Sequence, residues 1–470
     1  MSHRASAIIT IIIMLFCLAP ARAQDDGASP FGVIEAFWLP DAACAIGVGW
    51  ERIIFDWAQH QPTSPDDWNT LNVDERWLTA AQACDREVVA VVKHTPTWAT
   101  DGIVSTGLPR GLYLPVDDAD NLWAAFMRRL AAYYAPLGMN RFIIWNEPDI
   151  PLGSYGFEFD GTLEDYAQLV KVAYLAATAV NPNAQIHIAG TTYWYDINND
   201  RPLYVGRLLD VLAADPDAAA HGYYFDALTV HVYFRTETVY DITRANRAAL
   251  ERHGMGAKAV WIVETNASPN LDPAWRVERP NWQITLEQQS AFLTQAAALG
   301  LAAGAERIAA YKFFDWNLAP GAESFGLIRA DESPRPAYAT WGIVIDLFSD
   351  VVGATLARTP TVDAVLLRHI DGRQTLVAWA TTAEPAVLQV GATQPATLRD
   401  ALGGAVQVAP FEDQIMLALA GAICPPVDGC AVGGQPILLT VISGMGQVQV
   451  ITNGGDHIPL NFGMAEAAPS

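Results

Sequence analysis

Residues 142–148 read Phe-Ile-Ile-Trp-Asn-Glu-Pro, and residues 260–265 read Val-Trp-Ile-Val-Glu-Thr. Each stretch is a short apolar run that ends on a glutamate where a turn begins. Seven of these glutamate-terminated or plain apolar, β-branched runs lead up to residue 263 (32–34, 52–55, 88–92, 142–145, 185–189, 227–232 and 259–263), and an eighth covers 308–313. Helix-like stretches separate them, among them 121–135, 164–180 and 286–299. Near-continuous apolar strands alternating with helices imply a parallel sheet buried on both faces. Eight units from residue 31 to 348 fit a (β/α)₈ barrel, an α/β fold. An open doubly wound sheet is the rival, and it lacks the glycine-rich phosphate turn after its first strand.

The pattern changes after Phe348. Short β-rich segments at 363–369, 375–379, 386–390, 415–419 and 437–442 are separated by turn signals such as Asp371-Gly372 and Gly403-Gly404. This predicts an antiparallel β-sandwich over 349–443. Residues 444–470 are weakly patterned and read as a tail, part of it disordered.

Composition fits a large packed chain. Of 470 residues, 51% are hydrophobic and 17% charged, which excludes global disorder. Residues 1–23 read as a signal peptide: His3 and Arg4 precede an apolar run over 8–18, and Ala21-Arg22-Ala23 offers small residues for cleavage. The run is short for a membrane span, and no second candidate follows, so the expectation is a secreted or periplasmic protein without stable membrane insertion. Removing Arg4 and Arg22 from the 28 basic residues leaves 26 against 51 acidic ones, a net charge of −25. Such acidity disfavours nucleic acid and anionic membranes as partners.

Four cysteines remain beyond the signal. In an exported chain they allow two disulfides, and the expected pairs are Cys424–Cys430, closing a small local loop, and Cys44–Cys84, on adjacent helices near strand starts. The nine histidines show no metal-ligand spacing, and no phosphate loop is present, so neither metal nor cofactor is expected.

Burying a carboxylate is costly unless it is paired or used. Glu147 follows the fourth strand and Glu264 the seventh, so in a closed barrel they approach from opposite sides of one mouth. Two such groups can flank a glycosidic bond, one as acid and one as nucleophile. His231 and Tyr233 alternate on the sixth strand and share a face. His94 and Trp98 follow the third strand, and Asp315 and Trp316 the eighth. Each has a plainer reading: a carboxylate capping a turn, a satisfied core histidine, a packed tyrosine, an arginine at position 52 pairing a structural acid, or core tryptophans at 38, 98 and 316. Tyr155, Phe157 and Phe159 lie in a loop that either lines substrate or folds on itself, and Glu158, Asp160 and Asp315 compete as acids.

Trp145-Asn146-Glu147-Pro148 resembles the fourth-strand motif of the clan A glycoside hydrolases. Glu51-Arg52 followed by Trp57, Gln61-Pro62 and Asp67-Trp68 is similar to the early clan pattern, as are residues 95–99, Thr-Pro-Thr-Trp-Ala. Residues 166–182 resemble the helix after the acid/base strand, and Phe325-Gly326-Leu327 with residues 335–338 resembles the barrel's end. Within the clan the likeness is to family 39 and to family 5-like cellulases, in which a trailing β-sandwich is common. The resemblance implies Glu147 as acid/base, Glu264 as nucleophile, Asn146 on the sugar 2-hydroxyl, and Tyr233 on the nucleophile with His231 beside it. It further implies Arg52 keeping Glu264 ionised and Trp316 as a sugar platform. The expectation is a retaining β-glycosidase acting on oligo- or polysaccharides. A transglycosylase with the same residues, and a silent carbohydrate-binding barrel, are the alternatives.

Overall fold

The computed structural model describes residues 29–319, 321–442, 444–452 and 454–463, so the signal-peptide reading lies outside the described residues. Eight parallel strands close into a barrel: β1 Phe31–Ile34, β2 Trp50–Asp56, β3 Glu87–Lys93, β4 Arg141–Ile144, β5 Gln185–Thr191, β6 Ala227–Tyr233, β7 Ala259–Asn266 and β8 Arg307–Ala310. β8 pairs with β1 through Phe31 and Ile308, which seals the ring. All eight expected strands are present, with most of their ends shifted by one to three residues. β8 stops at Ala310 rather than running to 313, and β7 continues two residues past Glu264.

Alternation along β2 shows how the barrel sorts its side chains. Ile53 and Phe55 pack outward among the helices, while Trp50 points inward with Val89, Val91, Ile143 and Trp261. Two threonine caps start helices that pack on the barrel. Thr162 with Asp165 opens the helix Leu163–Thr178, and Thr285 with Gln288 opens Leu286–Ala302; both are capping boxes.

The C-terminal unit is two antiparallel sheets. One has the order β14-β13-β16-β11-β10-β9, and the other β15-β12-β17-β18. Their strands are β9 Val351–Arg358, β10 Val362–His369, β11 Gln374–Ala380, β12 Ala386–Gly391, β13 Ala396–Asp400, β14 Ala405–Val408, β15 Gln414–Leu419, β16 Ile437–Val441, β17 Val448–Ile451 and β18 His457–Leu460. The expected tail is therefore corrected: β17 and β18 lie beyond residue 443 and complete the second sheet. Val448, Val450 and Leu460 are buried in its core, which is why the segment folds.

The sandwich is fastened to the barrel. Helix Leu286–Ala302 is buried without a break from Gln288 to Gly300, because the sandwich covers the face that solvent would otherwise reach. Leu293, Ala296 and Ala297 share one core cluster with Val365, Leu367 and Trp379. The polar groups caught there are satisfied across the seam: Gln295 Nε2 donates to Gly434 O at 2.7 Å, and Gln288 Nε2 to Ile423 O at 3.1 Å. The Cys424–Cys430 disulfide, with Cα atoms 4.2 Å apart, closes the loop that makes this seam. Cys44 and Cys84 are also bonded, Cα atoms 5.7 Å apart, tying two connections at the N-terminal end of the barrel.

Candidate active site

Two irregularities aim the side chains at the C-terminal mouth. On β7, Val263 is one residue more than β6 can pair: Ile262 lies opposite Val230, yet Glu264 lies opposite His231. Such a bulge turns two neighbours toward one side. Val263 packs inside the barrel beside Trp50 and Trp261, and Glu264 follows it into the mouth. On β5, the register slips between Ile188 and Thr191, where Gly190 sits. A Cβ there would lie 2.0 Å from His231 Nε2, so only glycine lets the imidazole seat. The Gly190 carbonyl also accepts the Glu147 N–H at 3.0 Å. Glu147 stands three residues past the end of β4, in a left-handed conformation at φ 43°, as does Trp145 at φ 70°. Strain of this kind persists only where the surroundings hold it.

These elements bring five of the expected residues together. Tyr233 OH donates to Glu264 Oε2, and Arg52 forms an ion pair with Glu264 Oε1. His231 Nδ1 lies 2.7 Å from Glu147 Oε1 and 3.5 Å from Glu264 Oε2, so one imidazole sits between the two carboxylates. Burial works against a charged Glu264, but Arg52, His231 and the Tyr233 hydroxyl outweigh it and hold the carboxyl below its ordinary range. Burial likewise pushes His231 down, and the charge of Glu264 with the hydrogen bond and charge of Glu147 lifts it above its usual value. Burial and the neighbouring Glu264 push the Tyr233 phenol well up, so it remains a donor.

Further side chains steady the mouth. Asp149 accepts from Thr192 Oγ1 at 2.6 Å and Thr192 N at 3.1 Å, and burial, with a contribution from Glu147, pushes its carboxyl up to about 6. Asn146 Nδ2 donates to Glu158 Oε2 at 3.2 Å, and Lys93 Nζ lies 2.7 Å from the same oxygen. His94 pairs with Asp56 at 2.9 Å. Trp98 belongs to the wall: its Nε1 donates to Gln61 O at 2.6 Å and its ring meets Trp57 edge-on. Trp316 stacks on Trp38 with centroids 4.6 Å apart and is half exposed.

Two of the three competing acids, Asp315 and Glu158, have structural partners. Asp315 is buried and accepts from Gly326 N at 2.7 Å and Arg335 Nη1 at 2.6 Å. Glu158 is engaged by Lys93 as above. In the loop after β4, Phe159 is buried against Trp145, whereas Tyr155 lies in solvent. Several contributors were not foreseen, among them Gly190, Lys93, Asp149 and Tyr311. Tyr311, just past β8, packs its ring 5.7 Å from that of Tyr233, and Asn266 Nδ2 donates to its carbonyl at 2.5 Å. Glu147, His231 and Glu264 also form a grouping with ligand atoms within 4.8 Å of one another, the donor set a cation needs. The Arg52 guanidinium on Glu264 opposes a cation there.

No protein-family model matches the chain, and no curated protein matches it in sequence. Solved structures do match. The family 39 glycoside hydrolase from the gut symbiont Bacteroides cellulosilyticus WH2 aligns with TM-score 0.63 at 16% identity, over 88% of this chain and 81% of that one. A GH39 β-xylosidase from Caulobacter crescentus aligns with TM-score 0.56 at 16% identity, over 88% and 96%. A GH30 endoxylanase from Clostridium papyrosolvens C71 aligns with TM-score 0.56 at 12% identity, over 88% and 97%. The likeness is one of fold. Since each match covers more of this chain than the barrel alone, it takes in the sandwich as well.

Proposed function

We propose that the chain is a retaining glycoside hydrolase, with Glu264 as nucleophile and Glu147 as general acid/base. The observation that carries this reading is the single imidazole between the two carboxylates, which keeps their nearest ligand atoms within 4.8 Å. Retaining enzymes hold the two groups roughly 5 to 5.5 Å apart, whereas inverting ones need roughly 6.5 to 9.5 Å for an intervening water. The fold of family 39 and family 30 structures agrees with this reading.

The reaction follows from the pairings. Glu264, held ionised by Arg52 and Tyr233, attacks the anomeric carbon of a β-glycoside. Glu147 gives its proton to the departing glycosidic oxygen as the C–O bond breaks. His231 Nδ1–H steadies the carboxylate that remains. Glu147 then takes a proton from water, the hydroxide attacks the anomeric carbon, and the ester bond to Glu264 breaks, releasing the sugar with retained configuration. The residues alone do not separate water from a sugar acceptor in the second step. We further propose export through the N-terminal segment, a setting in which both disulfides persist.

A panel of aryl β-glycosides, with proton NMR of the first-formed sugar, tests the reading. A β-anomer formed first is expected. Net inversion, or no hydrolysis of any glycoside, overturns it.

A further inference from the structure

Four of the eight barrel strands are followed at once by a non-glycine residue at positive φ: Glu35 after β1, His94 after β3, Trp145 after β4 and Phe234 after β6. Such conformations are costly and gather where the surrounding structure exploits them. His94 pairs with Asp56, Trp145 precedes the acid/base by two residues, and Phe234 stacks on Trp282 with centroids 5.2 Å apart. Glu35, at φ 60°, has no such partner. Its backbone N–H donates to Arg52 O at 3.0 Å, which seats it beside the arginine that holds Glu264. The residue is half-buried, and no side-chain hydrogen bond or ion pair engages its carboxylate among the described residues. It stands at the C-terminal end of β1, on the rim of the barrel mouth. Burial and the charge of Glu264 act on the Tyr311 phenol, and Glu35 and Glu147 add to them, so Glu35 shares one neighbourhood with both catalytic carboxylates.

We infer that Glu35 is the specificity-determining acceptor for hydroxyl groups of a neutral glycone seated over Glu264. A half-buried carboxylate without a protein partner retains acceptor capacity that a sugar diol can fill with charge-assisted bonds. Its place between β8 and β2, next to the nucleophile rather than the acid/base, puts it on the glycone side. Three carboxylates, Glu35, Glu147 and Glu264, then surround the sugar, and Arg52 is already committed to Glu264. A glycone bearing its own carboxylate would meet like charge. The site therefore favours neutral sugars over uronic acids. The inference rests on the glycosidase reading and goes further by naming the substrate class and the residue that selects it.

The experiment compares wild type, Glu35→Gln and Glu35→Gly on p-nitrophenyl β-glycosides of neutral sugars, their monodeoxy analogues and the corresponding uronides. Glycine adopts positive φ without steric cost, so the Tm of Glu35→Gly is expected at or above wild type. Its kcat/KM on the best neutral glycoside is expected to fall about 10- to 10²-fold, the range for one hydrogen bond to a charged group. On the monodeoxy glycoside lacking the hydroxyl that Glu35 holds, the same substitution should cost nothing further. Glu35→Gln should raise the ratio of uronide to neutral turnover. Variants within about twofold of wild type on a hydrolysed substrate, or an equal loss on every monodeoxy analogue, overturn the inference alone. A wild type that hydrolyses no glycoside overturns both the inference and the reading beneath it.

Discussion

Each end of the barrel buries a histidine among charges, and the two are opposite in sign. At the N-terminal end, Glu87 is shared by Arg141 and Arg307, each at 2.5 Å, and both guanidiniums lie against Trp261. His187 meets the same indole edge-on at 4.5 Å, with neither ring nitrogen hydrogen-bonded. Burial, then the two arginines, push it well below its ordinary pKa, so it stays neutral. At the C-terminal end two carboxylates share one imidazole, and His231 is lifted instead. The lower cluster plugs the barrel with cations around one acid. The upper one concentrates acids around one base, in a mouth left open. A buried charge is thus no sign of chemistry by itself; the sign lies in which charge is in excess and whether a cleft reaches it.

The sharpest way to break this contrast is to remove one acid at the top. Glu264→Ala is expected to lower kcat by about 10⁶-fold, the order seen when a covalent nucleophile is deleted. Azide should restore turnover and give the inverted glycosyl azide. Glu147→Ala is expected to cost about 10² to 10⁴-fold on poor leaving groups and far less on activated aryl glycosides, with azide giving the retained product. If the two stereochemical outcomes exchange, the roles do too.

Tyr233→Phe has a smaller effect and sharpens the electrostatics. Its hydroxyl helps hold Glu264 below the ordinary carboxylate range. Without that donor the Glu264 pKa rises, so the acid limb of kcat/KM should move to higher pH, with activity down about 10- to 10²-fold at the optimum. An acid limb that stays in place would separate Glu264 from that titration. The mirror experiment at the bottom is Glu87→Ala. It removes the carboxylate shared by two arginines, and since Glu87 is 26% exposed, water screens part of the loss. We expect roughly 2 kcal/mol of stability lost and unchanged kcat for the folded fraction.

How much of this was legible in the sequence follows from what each residue is surrounded by. The barrel strands were readable because burial on both faces makes them continuous apolar runs, and the two glutamates stood out against those runs. Strands β9 and β14 were missed because their residues are mostly half or fully exposed, and β18 because only Leu460 is buried. The bulge at Val263 was not legible, since one extra apolar residue in an apolar run leaves no mark. Gly190 matters only for a clearance to His231, on another strand. Tyr311 was hidden inside the stretch read as the end of β8. Trp316 drew attention as a tryptophan past that strand, yet the ring beside the Glu264–Tyr233 pair is Tyr311.

The gentlest test exchanges both histidines for leucine. His231→Leu removes the group between the two carboxylates and should lower kcat/KM about 10- to 10²-fold, the range for a hydrogen bond to a charged partner. His187→Leu should leave kcat/KM unchanged, because the ring makes no hydrogen bond and lies at the far end of the barrel. Its effect belongs to stability and to one pH window. In the folded protein His187 stays neutral well below its ordinary pKa of 6.5. In the unfolded chain it takes up a proton as the pH drops through about 6.5. The unfolded state then binds more protons than the native one, so this histidine costs stability as the pH falls. Leucine has no proton to bind. Tm of His187→Leu should therefore match or slightly exceed wild type at pH 8, and the gap should widen in its favour between pH 6.5 and 5. A gap that narrows on acidification would mean that His187 is charged in the native state. The lower cluster would then resemble the upper one, and the contrast between the two ends would fail.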